Sequence, residues 1–138
     1  MNTNYKLRTM TSTENHRGYF DRGSNMQVIR KGNGEIAMTE SELVRFFGVT
    51  WRKLHHRLQT IIKSSNLHLD ERVAGEEDIY ANEQLKGYAP LYPLPVIIAM
   101  SFHLDSTEAY LFRKYVCQRL QKVASVITPI FLLGGTDN

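Results

Sequence analysis

Apolar positions between Thr39 and Leu67 recur with the period of a helix, stop at a glycine, and then resume. Thr39, followed three residues later by Glu42, has the capping-box pattern in which hydroxyl and carboxylate satisfy the free amides of a helix start. Leu43, Phe46 and Phe47 then share one face. Gly48 is placed to take the left-handed conformation that ends a helix and turns the chain. Val49 can plug the angle, and Thr50 can cap a second helix. There Leu54, Leu58, Ile61 and Ile62 are spaced for a core. Trp51, Arg52, His55, His56, Gln59 and Lys63 fall on the other side, with Lys53 and Arg57 flanking.

The rest of the chain is organised around this pair. Residues 1–25 are rich in Asn, Thr, Ser, Arg and Gly, which predicts a flexible arm. Met26 to Ile29 makes a short β-like run, Lys31-Gly32-Asn33-Gly34 is a turn signal, and Glu35 to Met38 is the expected partner strand. From 66 to 93 the pattern is broken by Gly75, Gly87, Pro90 and Pro93, which predicts irregular structure with one or two short strands, a wing-like hairpin being one form they could take. Pro95 suits a helix start, and Val96 to Phe102 should form a short buried helix. Asp105 or Ser106 then caps a long helix whose inner face is Ala109, Phe112, Val116, Leu120 and Val123. The apolar run Val126 to Leu133 is interrupted by Pro129 and followed by two glycines, a tail that needs a surface to cover. The expected fold is α+β, mainly helical: a winged-helix-like helix-turn-helix with an N-terminal β-hairpin and a long C-terminal helix. Its parts are an arm (1–25), the helix-turn-helix domain (26–124) and an apolar tail (125–138).

Charge sharpens this reading locally rather than globally. The 138 residues carry a net charge of only +3, which does not mark a nucleic-acid binder. Between Leu43 and Leu69, however, there is no acid, while Arg45, Arg52, Lys53, Arg57 and Lys63 supply five fixed positive charges. Asp70, Glu71, Glu76, Glu77, Asp78 and Glu83 gather the negative charge immediately afterwards. The local field, not the sum, decides where a polyanion docks. Cys117 is the sole cysteine, so neither an intramolecular disulfide nor a cysteine-based zinc site is expected. The first residues lack the apolar core of a secretory leader, and no apolar run approaches membrane-spanning length; a reducing cytoplasm is the expected compartment.

Several of these segments together resemble the virulence-associated RhuM family and, more loosely, DNA-binding modules of phage and viral regulators. The matching text is Gly34-Glu35-Ile36 with Met38-Thr39, Glu42-Leu43, Phe46-Phe47-Gly48, Leu54-His55-His56-Arg57-Leu58, Ile62-Lys63 and Leu67. A second block runs from Tyr92-Pro93-Leu94 to Met100 and from Ser106 to Leu120, including Phe112-Arg113. Where the family has a serine–arginine pair, this chain has His55 and His56. The resemblance spans residues 28–123 and implies a winged-helix-like or related helix-turn-helix fold of the kind encoded on mobile or phage-derived DNA.

The function these features lead us to expect is duplex DNA binding and regulation by the helix at 50–63. Thr50 and Lys53 would fix the phosphate backbone, Arg52 and Arg57 would reach guanine edges or phosphates, Gln59 could reach adenine, and Trp51, His56 and Lys63 would complete the surface, with a core anchor as the equal alternative for Trp51. His55 and His56 point about 100° apart on a helix and cannot share a metal face; as DNA contacts they would add charge below neutrality. Glu76-Glu77-Asp78 beside Gly75 reads as a solvated turn rather than an ion site, and Cys117 has no histidine partner in the sequence. No enzymatic activity, cofactor, metal, small-molecule substrate or membrane contact is therefore expected. The last helix and tail are expected to mediate homodimerisation. The competing class is a protein-interaction module that keeps the fold without binding DNA, for which the acidic 70–83 segment and the apolar tail are the support.

Overall fold

The structure, a computed structural model, describes residues 17–64 and 72–135, with 126–135 in backbone only. The described residues form an α+β fold of four helices and two small antiparallel sheets. In order these are β1 (Tyr19–Arg22), a single 3-10 turn (Ser24–Met26), β2 (Val28–Lys31), β3 (Ala37–Thr39), α1 (Glu40–Phe47), α2 (Trp51–Ile62), β4 (Gly75–Ala81), β5 (Gln84–Pro93), α3 (Leu94–His103) and α4 (Thr107–Gly135).

The N-terminal hairpin is present, but its strands are not the expected ones. β2 pairs backward with β1, Tyr19 opposite Lys31 and Arg22 opposite Val28, so part of the expected arm belongs to the fold. Phe20 is the reason: buried against Phe46 and Phe112, it ties residues 19–22 to the core. Residues 1–16 of the expected arm lie outside the described residues. The edge expected to receive β2 is occupied instead by Gly18, which donates from its amide to Glu35 and accepts from the amide of Ala37. A Cβ at Gly18 would lie 2.6 Å from the carbonyl oxygen of Gly34, so only glycine permits this approach. β3 pairs with the far end of β5, Ala37 opposite Pro93 and Thr39 opposite Leu91.

β4 and β5 form a hairpin in the region read as irregular, giving a sheet in the order β3-β5-β4. Its turn residues Asn82 and Glu83 both have positive φ (55° and 64°), the backbone that matches the twist of a two-residue hairpin. The residues joining α2 to this hairpin, 65–71, lie outside the described ones.

The helix signals act as read. Thr39 and Glu42 form the reciprocal capping box at α1, and Gly48 ends it at φ 62°. The Thr50 hydroxyl accepts from the Lys53 amide at the start of α2. Leu43, Phe46, Phe47, Leu54, Leu58, Ile61, Val96, Ile97, Met100, Ala109 and Phe112 form the core beneath both sheets. The tail differs: α4 continues through Pro129 to Gly135 as one 29-residue helix rather than ending near 124. Proline lacks an amide proton, which removes one helical hydrogen bond without ending the helix.

Candidate nucleic-acid interface

α2 is held from below and at its start. Leu54, Leu58 and Ile61 are buried on its inner side. Its start is fixed by the Gly48 turn, and α1 is itself anchored by two long-range contacts. The Arg22 guanidinium donates to the Phe46 carbonyl at 3.0 Å and the Glu108 carbonyl at 2.9 Å. The Ser106 hydroxyl donates to the Phe47 carbonyl at 2.7 Å and accepts from the Ala109 amide, binding the end of α1 to the start of α4. Sequence reading took Ser106 for a helix cap and gave Arg22 no role. The contacts span 59 and 86 positions, so no local pattern carries them.

With the core stripe fixed, the remaining positions of α2 divide into three. At 100° per residue, Arg52, His56, Gln59 and Lys63 point away from the core; Arg52, His56 and Lys63 are exposed and Gln59 half-exposed. Trp51 and His55 turn toward the start of α1. Their rings stack with centroids 4.7 Å apart at 17°, and His55 Nδ1 lies 2.7 Å from a Glu40 carboxylate oxygen. Trp51 is 57% exposed, so it is a surface residue and not a core anchor.

Lys53 and Arg57 turn the other way, toward the junction of α3 and α4. There the Lys53 ammonium donates to Asp105 at 3.0 Å. That hydrogen bond, with the fields of Lys53 and Arg57 behind it, holds the Asp105 carboxyl below the usual carboxylate range. Asp105 was read only as a possible helix cap; in space it is the acid that enters the cationic surface.

All seven residues expected to meet DNA, Thr50, Trp51, Arg52, Lys53, His56, Arg57 and Lys63, therefore lie on or beside one helix, but only Arg52, His56 and Lys63 share its outermost stripe. Between Trp51 and the β4–β5 hairpin lies a groove of about 530 Å³, lined in part by Glu40, Asp78, Ile79, Tyr88 and Pro90. The hairpin carries Glu76, Glu77 and Asp78 along β4. Glu77 is bridged at 2.9 Å by Arg17, which also forms a two-pronged pair with Glu42. The hairpin side of α2 is thus acidic and aromatic, and its outer stripe is cationic. Among the described residues no three His, Cys, Asp or Glu side chains gather to hold a metal ion, and no helix is long and apolar enough to cross a membrane. Comparison with protein-family models, curated proteins and solved structures finds no match to this chain.

Proposed function

We propose that this chain is a duplex DNA-binding regulator of winged-helix type, with α2 as its recognition helix. The observation that carries the reading is the outward stripe Arg52, His56, Gln59 and Lys63, on a rigidly seated helix that contains no acid. A strand, two helices across a tight turn, and a hairpin whose second strand returns to pair with the first strand supports the winged-helix reading. A helix of 12 residues is about 18 Å long and fits the major groove end-on or along it. Arg52 and Lys63 supply phosphate or guanine contacts from the two ends of the stripe, and Gln59 is the candidate for adenine. Thr50 spends its lone pair on the Lys53 amide but keeps its hydroxyl proton for a phosphate. Trp51 offers an exposed ring at the edge. Lys53 and Arg57 reach the backbone on the Asp105 side. The acidic hairpin is set against close phosphate approach, so in this reading it stays off the duplex and limits the footprint.

A second reading, a protein-interaction module, is favoured by one observation: the groove beside Trp51 combines apolar rings with carboxylates and would suit a cationic segment of another protein. One titration separates the two. Fluorescence anisotropy of a random-sequence duplex is followed at low and then physiological salt, for the native chain and for Arg52→Ala/Lys63→Ala. DNA binding predicts micromolar or tighter affinity falling steeply with salt, and a slope of log K against log salt reduced by about 1.8 in the double variant, roughly 0.9 per lost phosphate contact. A folded protein that does not bind at low salt, or a folded double variant that binds as before, removes α2 as the recognition helix.

A further inference from the structure

We infer that the distal half of α4 is a self-pairing surface that joins two copies of this chain, independently of any DNA. Only the first part of the helix is seated on the body. Ala109 and Phe112 are buried, Tyr115 packs on Phe20 and Phe112, and the Arg113 guanidinium donates to the Ser101 and Leu104 carbonyls at the end of α3. From Cys117 to Ser125 every residue is exposed, including Leu120 at 65% and Val123 at 55%. The backbone then continues as helix to Gly135, about 15 Å farther along. Gln118, Arg119 and Lys122 still line a cleft against residues 25–28, but none of the described residues buries Leu120 or Val123, so their cover is assigned to another molecule.

The spacing identifies that molecule. Val116, Leu120 and Val123 stand four and three residues apart, and the sequence repeats those steps to Ile127 and Ile130. Steps of four and three are the seam of a helix that pairs with another helix of the same period. No charged residue lies on the seam, and Lys114 and Lys122 fall off it. A seam of this kind is complementary to itself, the property a two-fold interface requires. An acidic partner helix would draw on the cations but would leave the apolar seam no better matched than a second copy does.

The test uses the full chain without DNA. Sedimentation equilibrium over roughly 1 to 100 μM should give a dimer, and Leu120→Asp/Val123→Asp should give a monomer at the same concentrations. Both side chains are exposed, so the variant should keep the circular dichroism and thermal midpoint of the folded body. A native chain that is monomeric throughout overturns the inference, as does a dimer indifferent to the substitutions. A chain that is monomeric in buffer but sediments with phosphatidylserine vesicles also overturns it, and assigns the cationic, apolar helix to a lipid surface instead.

Discussion

Replacing Asp105 with Asn should strengthen DNA binding, because among the described residues Asp105 is the one acid bonded to a cation of α2 on its α3–α4 side. Its carboxylate accepts from Lys53 at 3.0 Å, sits within the field of Arg57, and is 89% exposed, so it would stand close to the duplex phosphates together with Lys53. In the native chain the ammonium is already neutralised by its partner, and a phosphate approaching Lys53 must also approach Asp105. The isosteric amide removes the competing charge while retaining an acceptor oxygen. One cation then becomes available to displace one condensed counterion, which should raise the slope of log K against log salt by about 0.9. Carried from a 1 M reference, that slope is a gain of roughly 15-fold at about 50 mM salt and roughly 4-fold at about 200 mM. The fold should not register the change, because the pair is solvated on both sides and no buried group depends on it.

The assay is the same anisotropy titration at four or five salt concentrations, with Lys53→Ala and the double variant completing a cycle. Lys53→Ala alone should weaken binding, since it leaves the Asp105 carboxylate unpaired beside the phosphates, and in the Asp105→Asn background it should return affinity and slope to about the native values. A double variant that resembles the native chain is the signature of a compensated cation. An Asp105→Asn protein with native affinity and slope would mean that Lys53 and Arg57 face away from the duplex, leaving contact to Arg52, His56 and Lys63 alone.

Three further outcomes test the scaffold. Phe112→Ala should lose about 3–5 kcal/mol in urea denaturation, a large share of a typical domain's stability, because Phe112 is fully buried between Phe20, Phe46 and Phe47. Gly48→Ala should cost about 1–2 kcal/mol by the same measurement, from the left-handed backbone at φ 62°; the added methyl also forces the Glu108 carboxylate, 2.3 Å from the ideal Cβ, to move. Burial, and secondarily the charge of Glu40, raise the Tyr92 phenol above its ordinary value near 10. Its contribution should therefore be complete below about pH 10 and disappear as pH rises through the folded value, seen as a fall in the urea midpoint that Tyr92→Phe makes shallower.

The boundaries of α1 and the start of α2 were legible because each is set by residues within four positions of it. Thr39 with Glu42, Gly48, and Thr50 satisfy or release backbone groups locally, and their geometry follows from residue type. The sheet was less legible because strand pairing is a choice between edges. The turn at Lys31 to Gly34 was real, yet β2 went to β1, because burying Phe20 outweighs the local convenience of pairing 28–31 with 35–38. Asn82-Glu83 carried no glycine to announce it, so a hairpin of 17 strand residues was legible only as one or two short strands in irregular structure, with a wing-like hairpin as an option. The exposure of Trp51 was undecidable from period alone, since its position on α2 lies at the border of the core stripe and faces the β4–β5 hairpin, whose packing is set by long-range pairing.

The site itself shows why charge along a sequence is an incomplete guide to charge on a surface. Arg17, Arg22 and Arg113 count as cations in the sequence just as Arg52 does, but each is committed inside the fold: Arg17 to Glu42 and Glu77, Arg22 to carbonyls closing α1, and Arg113 to carbonyls closing α3. A guanidinium presents five donors in a fixed fork, which suits it to several carbonyl oxygens at once and makes it a bracket between helix ends. These three therefore lend stiffness to the platform and little field to the solvent. The stripe of α2 draws on the residues left over. There Arg52 and Lys63 have no acid among the ion pairs of the described residues, whereas Lys53 does. The proposed function thus rests on fewer cations than the acid-free stretch from 43 to 69 advertises. It follows that the salt dependence of binding, which counts the cations reaching phosphate, is the quantity that distinguishes this surface from a merely basic sequence.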